Sequence, residues 1–358
     1  MNARERYLSI YDDDARKHLD RVPTFVQYLR QEFIAKNRKN FKDANCGIGL
    51  RNDYFKFPFL LGFDSVFAPF PLSIKIKSAK IKTDLGEVVR IGEDGQKINR
   101  KTEYYEGGYI HSLDILNKLI ANKKDLDLNL EIEKVMENYA KISDQIYPIL
   151  TIDGIFDRVW KSMGFDIFSR HFQKASKLYK EIINYYAELT CQNIESFINS
   201  YGDNDNVITI LDDFAYKSGP MISPERWEKD FLPHYKKINN LISKAGMIPQ
   251  IHSDGDPTVL IPLLRKAGFR GLQGWEGGSD PKYINEHFPD FVVIGFGDVS
   301  EILPFGSKQQ VTNHVRNLID IFKENRHFII GPSTVIFEKI PLNNVNAFII
   351  ASREYGKY

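Results

Sequence analysis

Short apolar runs that close on glycine or polar residues recur through the second half of the chain: VITILDD (207–213), MIPQIHSDGD (247–256), GLQGWEG (271–277), FVVIGFGD (291–298) and HFIIGPS (327–333). Such runs suit strands buried on both faces in a parallel sheet. Between them the apolar positions shift to helical spacing, as Val311, Val315, Leu318, Ile319 and Phe322 do in SKQQVTNHVRNLIDIFKENR (307–326). Ser223 and Pro224 read as N-cap and first residue of a helix that runs into HYKKINNLISKAG and stops at Gly246. Pro257 opens another helix, which Gly268 ends. Three earlier runs, DRVPTFVQ (20–27), GFDSVFAPF (62–70) and YPILTID (147–153), bring the strand count to eight. Eight strand–helix units predict an α/β fold of the (β/α)8 TIM-barrel type rather than an open sheet.

Two stretches interrupt that alternation, between about residues 71 and 146. SIKIKSAKIKTDLGEVVRIGEDGQKINRKTEYYEGGY alternates β-type residues with DLGE and EDGQ turns, and reads as antiparallel ribbons beside the barrel. ILNKLIANKKDLDLNLEIEKVMENYAKI reads as helical. No linker or repeat divides the chain, so residues 1–358 are expected to form one barrel domain with insertions.

Lys plus Arg number 48 against 47 Asp plus Glu, so no net field favours nucleic acid or an anionic membrane surface. The two cysteines, Cys46 and Cys191, lie far apart and form no CxxC, which excludes a disulfide framework and an all-cysteine zinc site. The charged opening MNARERYLSIYDDDARKHLDRVP has no apolar core of a signal peptide, and no apolar run is long enough to span a bilayer. A soluble protein of the reducing cytoplasm is expected. Gly47-Ile-Gly49, Gly107-Gly108 and Gly277-Gly278 match no phosphate-loop pattern.

In a barrel of this type, chemistry sits at the carboxyl ends of the strands. Asp153 and Arg158 follow the third strand, Asp212 and Asp213 the fourth, His252, Asp254 and Asp256 the fifth, Glu276 the sixth, Asp298 the seventh, and Ser333 with Thr334 the eighth. Asp256, directly before Pro257, suits an N-cap. Asp298 in GFGDVSE suits a glycine turn as well as a substrate contact. Asp212 and Asp213 are adjacent, so one faces the mouth and the other the surrounding shell. His252 and Asp254 could offer a nitrogen and an oxygen to one ion, with Glu276 as a third ligand, or His252 could move a proton. Arg158 and Lys217, the cations nearest the strand ends, either bind a substrate carboxylate or lie on a solvated face.

The blocks NARERYLSIYDDDARKHLDRVP, LGFDSVF, TDLGEVVRI…YYEGGYI, DDFAYKSGPMISPERWEKDFLPHYKKI, HSDGD, LQGWE, GFGD and IIGPSTVIFEKIPLNNVNAFIIASREYGKY resemble the uroporphyrinogen decarboxylase superfamily over nearly the whole chain. The resemblance implies an eight-stranded barrel and one of two activities: tetrapyrrole decarboxylation, or methyl transfer dependent on cobalamin or a corrinoid protein. The arginine-rich MRQAGR motif of the decarboxylases is replaced here by TFVQYLRQEF, in which Arg30-Gln31 is the only echo. The opening, the DLGE ribbon and the SPERWEK block look more like the methyltransferase branch. In that branch's zinc enzymes, a His-x-Cys after the fifth strand and a later cysteine hold zinc, which activates a thiol acceptor. By resemblance His252 falls on the histidine, Asp254 on the first cysteine and Ser333 near the second. With both sulfurs missing, any retained site is harder, for example His252, Asp254 and Glu276 with water.

Methyl transfer between a small methylated compound and a corrinoid, free or on a partner protein, is therefore the first expectation. His252, Asp254, Asp212, Asp213 and Glu276 would be its catalytic groups, and Arg158, Lys217, Asp298 and Ser333 would contact substrate. A decarboxylase of a tetrapyrrole or smaller acid is the second, with Asp212 or Asp213 stabilising a protonated pyrrole-like intermediate. A barrel that binds a corrinoid or tetrapyrrole without chemistry is the third.

Overall fold

Eight parallel strands follow one another around the barrel in chain order: β1 (Phe25–Val26), β2 (Ser65–Pro69), β3 (Tyr147–Asp153), β4 (Val207–Leu211), β5 (Ile248–His252), β6 (Gly271–Trp275), β7 (Val292–Gly297) and β8 (Phe328–Pro332). The ring closes between β8 and β1, where the Ile330 N–H donates to Pro23 O at 3.0 Å and parallel bridges join Thr24 to Ile330 and Leu29 to Ile336. This is the expected (β/α)8 barrel. The computed structural model describes residues 1–41, 53–69, 79–82, 88–91, 95–98, 105–121, 129–202 and 206–358; Cys46 and Gly47-Ile-Gly49 lie outside them. Between β2 and β3 stand antiparallel pairs, Ala79–Lys82 with Val88–Ile91 and Gln96–Ile98 with Tyr105–Gly108, followed by helices Leu113–Ala121 and Asn129–Ile142.

The helix expected from Ser223 to Gly246 is two, Pro224–Asp230 and Leu232–Lys244. Pro233 lacks an N–H and crowds the preceding turn, so the chain breaks at Phe231, where φ is −118°. Ser223 is the N-cap, its hydroxyl accepting from the Arg226 N–H. After Pro257 the chain first makes a 3-10 turn, Thr258–Leu260, and only then the helix Ile261–Lys266.

Alternation along the strands sorts the interior. In β4, Ile208 and Ile210 join the outer core beneath the helices, while Val207 and Leu211 belong with Phe25, Phe67, Ile149 and Ile329 to a separate inner cluster. Phe25 meets Phe67 edge to face at 4.8 Å; each such fully buried side chain stabilises the fold by roughly 1.5–3 kcal/mol.

The amino-terminal segment closes the end of the barrel where the strands begin. Helix Ala3–Ser9 starts with an Asn2–Glu5 capping box and buries Tyr7. The hydroxyls of Tyr7 and Tyr11 both donate to Gln250 Oε1, and Gln250 Nε2 donates to Thr209 Oγ1 at 2.9 Å. Asp64, buried before β2, accepts from Arg6 Nη1 at 2.8 Å, Arg21 Nη1 at 2.7 Å and Thr24 N at 2.8 Å. With this end sealed, the opposite mouth is left for chemistry. Among the described residues no helix is long and apolar enough to cross a membrane.

Candidate functional site

The alternation that points Gln250 into the barrel points His252 inward as well, two residues further along β5. His252 is buried at the mouth, edge-on to the Phe67 ring at 6.3 Å between centroids. Its Nδ1 lies 2.7 Å from Gln273 Oε1 and 3.1 Å from Gln273 O, both acceptors. The orientation of the Gln273 amide follows from its other partner. Its Nε2 donates to Ser333 O at 3.0 Å, a carbonyl that can only accept, so Oε1 must face His252, where it also accepts from Gln27 Nε2 at 3.1 Å. An Nδ1 proton therefore faces Gln273, and Nε2 faces the mouth.

Two carboxylates face that nitrogen. Asp213 Oδ1 is 3.5 Å and Asp254 Oδ1 3.8 Å from His252 Nε2, and one donor atom from each of the three residues lies within 4.8 Å of the others. Both aspartates are half-buried, yet Asp254 Oδ1 is shielded from solvent and has no hydrogen-bond partner. Burial raises the Asp254 carboxyl to about 6; His252 opposes the rise, and the charges of Asp213 and Glu276 add to it. The Asp254 N–H donates to Asp213 Oδ1 at 3.2 Å, which ties the two loops together.

The remaining expected site residues divide by location. Asp212 turns away from the mouth, fully buried, and accepts from the N–H groups of Phe156 (3.2 Å) and Asp157 (2.6 Å) at the start of helix Phe156–Met163. Burial pushes its carboxyl well above the usual range, against those two N–H groups. It is a helix anchor, not a mouth residue. Glu276 stands beside the trio but is not of it: its Oε1 accepts from the Gly255 N–H at 3.1 Å, and Asp213 takes the place expected for it. Arg158 lies buried with its guanidinium 4.5 Å above the Tyr186 ring, in a helix–helix packing position. Asp298 accepts from the N–H groups of Ser300 and Glu301 at 2.7 and 2.8 Å and so shapes a turn. Asp256 does the same for Thr258 N and also holds the Ser279 hydroxyl. Lys217 is exposed on the tight turn between Ala215–Tyr216 and Gly219–Pro220. Ser333 is buried, and its Oγ has no hydrogen-bond partner.

Gln27 and Gln273 were not among the expected site residues. Each lies inside an apolar run, TFVQ and GLQGW, and a buried amide is unfavourable unless bonded, so a glutamine within such a run is the signal that marks them. A bulge in β6 at Gly274, with φ +116°, shifts the register against β7. The extra residue lets Gln273 face inward while Trp275 turns to the outer layer and stacks on Phe296 at 5.8 Å.

A family model for uroporphyrinogen decarboxylase (URO-D) matches residues 158–355, more than half of the chain. The methylcobamide:CoM methyltransferase MtbA of Methanosarcina acetivorans is 21% identical over 311 residues, 83% of this chain and 81% of that protein. A methylated-thiol–coenzyme M methyltransferase of Methanosarcina mazei is 26% identical over 140 residues, 38% of this chain and 35% of that protein. A solved methyltransferase structure from Methanosarcina mazei matches with a TM-score of 0.68 at 18% identity, over 99% of both chains, and so shares the fold.

Proposed function

Since the chain belongs to the uroporphyrinogen decarboxylase family and the curated relatives it matches are methyltransferases, we propose that it moves a methyl group between a small methylated substrate and a corrinoid, free or carried on a partner protein. The observation that carries this reading is the meeting of His252 Nε2 with Asp213 and Asp254 at the open mouth of the barrel. When the bond between a methyl group and a heteroatom breaks, the electron pair stays on the heteroatom, which must then be protonated or coordinated. His252 and Asp254 stand where a proton can be held for that atom, and the Gln273 acceptor keeps the imidazole from turning. A divalent ion bound by the same three residues would supply Lewis acidity at that point. The cysteines that the resemblance assigns to zinc are absent here, so the donor set fits an ion that accepts nitrogen and oxygen.

The test is an exchange assay followed by cobalamin absorbance. Reduced cobalamin is offered with methyl ethers and methylamines, and methylcobalamin is offered with their demethylated forms. Methylation or demethylation by the wild type, falling about 10²–10⁴-fold in His252→Ala, is expected. Silence with every donor and acceptor, alongside turnover of a porphyrinogen, would replace the reading with a decarboxylase.

A further inference from the structure

We propose that Ser333, with Gln27 beside it, forms a substrate-binding corner in the mouth that holds the oxygen of a small uncharged molecule and sets specificity against carboxylates. Alternation puts both side chains inside the barrel. Ile329 in β8 and Phe25 in β1 belong to the inner cluster, so Ser333 and Gln27, each an even number of residues further along, project to the same side. Ser333 is 1% exposed, and its Oγ has no hydrogen-bond partner. Its backbone is fixed on both sides: the N–H donates to Gly297 O at 2.9 Å, and the carbonyl accepts from Gln273 Nε2 at 3.0 Å. Most buried hydroxyls in folded proteins are bonded. One held still and left unbonded, at the end of the barrel where chemistry is expected, is the group a ligand would satisfy.

The surroundings define the ligand. Gln27 Nε2 carries two N–H bonds and gives one to Gln273 Oε1 at 3.1 Å; the other has no partner among the described residues. Thr334 Oγ1 stands 3.5 Å from Gln27 Oε1. The Ser333 O–H and the second Gln27 N–H are thus two uncharged donors on the adjoining ends of β8 and β1. They suit the lone pairs of a hydroxyl, ether or carbonyl oxygen, whereas thioether sulfur accepts weakly. A carboxylate could accept from them too, but it would meet the carboxylates of Asp213, Asp254 and Glu276 at the same mouth, without a counter-ion. Among the described residues the buried arginines are Arg6, Arg16 and Arg158, and no lysine is buried. Arg6 and Arg16 lie at the sealed end, bonded to Asp64 and His327, and Arg158 packs against Tyr186.

The test follows the amide NMR signals of the whole protein during titration with methoxyethanol and, separately, with methoxyacetate, which carries a carboxylate in place of the alcohol. Methoxyethanol is expected to shift the Ser333 backbone and Gln27 side-chain amide signals to saturation, and methoxyacetate to leave them in place. Ser333→Ala should weaken methoxyethanol binding about tenfold. It should leave the thermal unfolding of the ligand-free protein unchanged, since the hydroxyl it removes bonds nothing. No saturable shift, equal binding of the two compounds, or binding that ignores Ser333→Ala would overturn the proposal. So would a lower melting temperature for Ser333→Ala, the mark of a hydroxyl already satisfied inside the protein. The proposal rests on the methyl-transfer reading only in taking the bound molecule for a methyl donor. Binding without exchange of a methyl group keeps the corner and sinks that reading, and exchange that is as fast in Ser333→Ala as in the wild type does the reverse.

Discussion

At the scale of single residues, the site depends on parity and on one glycine. Asp212 and Asp213 are adjacent at a strand end and point opposite ways, so Asp213 reaches His252 while Asp212 holds a helix terminus. Gly274 is the backbone position that lets β6 lie against β5. A Cβ there would stand 2.3 Å from Ser253 O and 3.1 Å from His252 Nδ1, at a φ of +116° that side chains rarely adopt. Gly274→Ala is therefore expected to cost at least about 2 kcal/mol and to displace the imidazole as well. Thermal unfolding checks the first effect, and the His252 ring signals in NMR check the second. A variant that melts like the wild type with unshifted ring signals would show that the bulge relaxes without strain.

At the scale of elements, the loops after β3 and β4 are joined by carboxyl groups that favour different charge states from those in free solution. Asp157, in the first turn of helix Phe156–Met163, accepts from Lys161 Nζ at 2.6 Å; burial lifts its carboxyl from 3.8 to about 6, Lys161 opposes the shift, and the neighbouring charge of Asp213 adds to it. In the unfolded chain the same group ionises at its lower, ordinary value. The stabilisation from the protonated form is thus complete below about pH 4 and is lost as pH rises through about 6. Asp157→Asn should flatten the fall in unfolding free energy between pH 4 and 7, as denaturant titrations at several pH values would reveal. An unchanged slope would assign that dependence to other groups. Carboxylates bond backbone N–H groups after three of the strands: Asp212 those of Phe156 and Asp157, Asp256 that of Thr258, and Asp298 those of Ser300 and Glu301.

At the scale of the molecule, a sealed end gives the open end its meaning. The buried Asp64 joins Arg6 of the amino-terminal helix to Arg21 and Thr24 beside β1, and removing it would leave the buried Arg6 with the half-exposed Asp20 and the Met1 carbonyl. Asp64→Ala is expected to lower the unfolding free energy by about 3–5 kcal/mol, measured by denaturant titration. Adding Arg6→Ala should cost less than the sum of the two single changes, because both remove the same interaction. Full additivity would mean that the plug and the barrel are stabilised independently.

The sequence by itself determined the eight strands and the ends from which the site residues project. Runs buried on both faces, closed by HSDGD, GWEG or GFGD, can form few other structures. The Ser223 cap was equally legible, because capping depends only on neighbours along the chain; Asp256, expected as a helix N-cap, instead accepts from the Thr258 N–H in a 3-10 turn whose N-cap position is Pro257. The tertiary structure decided the rest. The meeting of Gln27 with Gln273 and His252 joins three different strands, and no local pattern encodes which strands become neighbours across a barrel. Asp213 displaces Glu276 from the trio for a related reason. Its inward direction follows from the register of β4 in the closed ring, whereas Glu276 follows a bulge that shifts its strand's parity and leaves its carboxylate bonded to the Gly255 N–H.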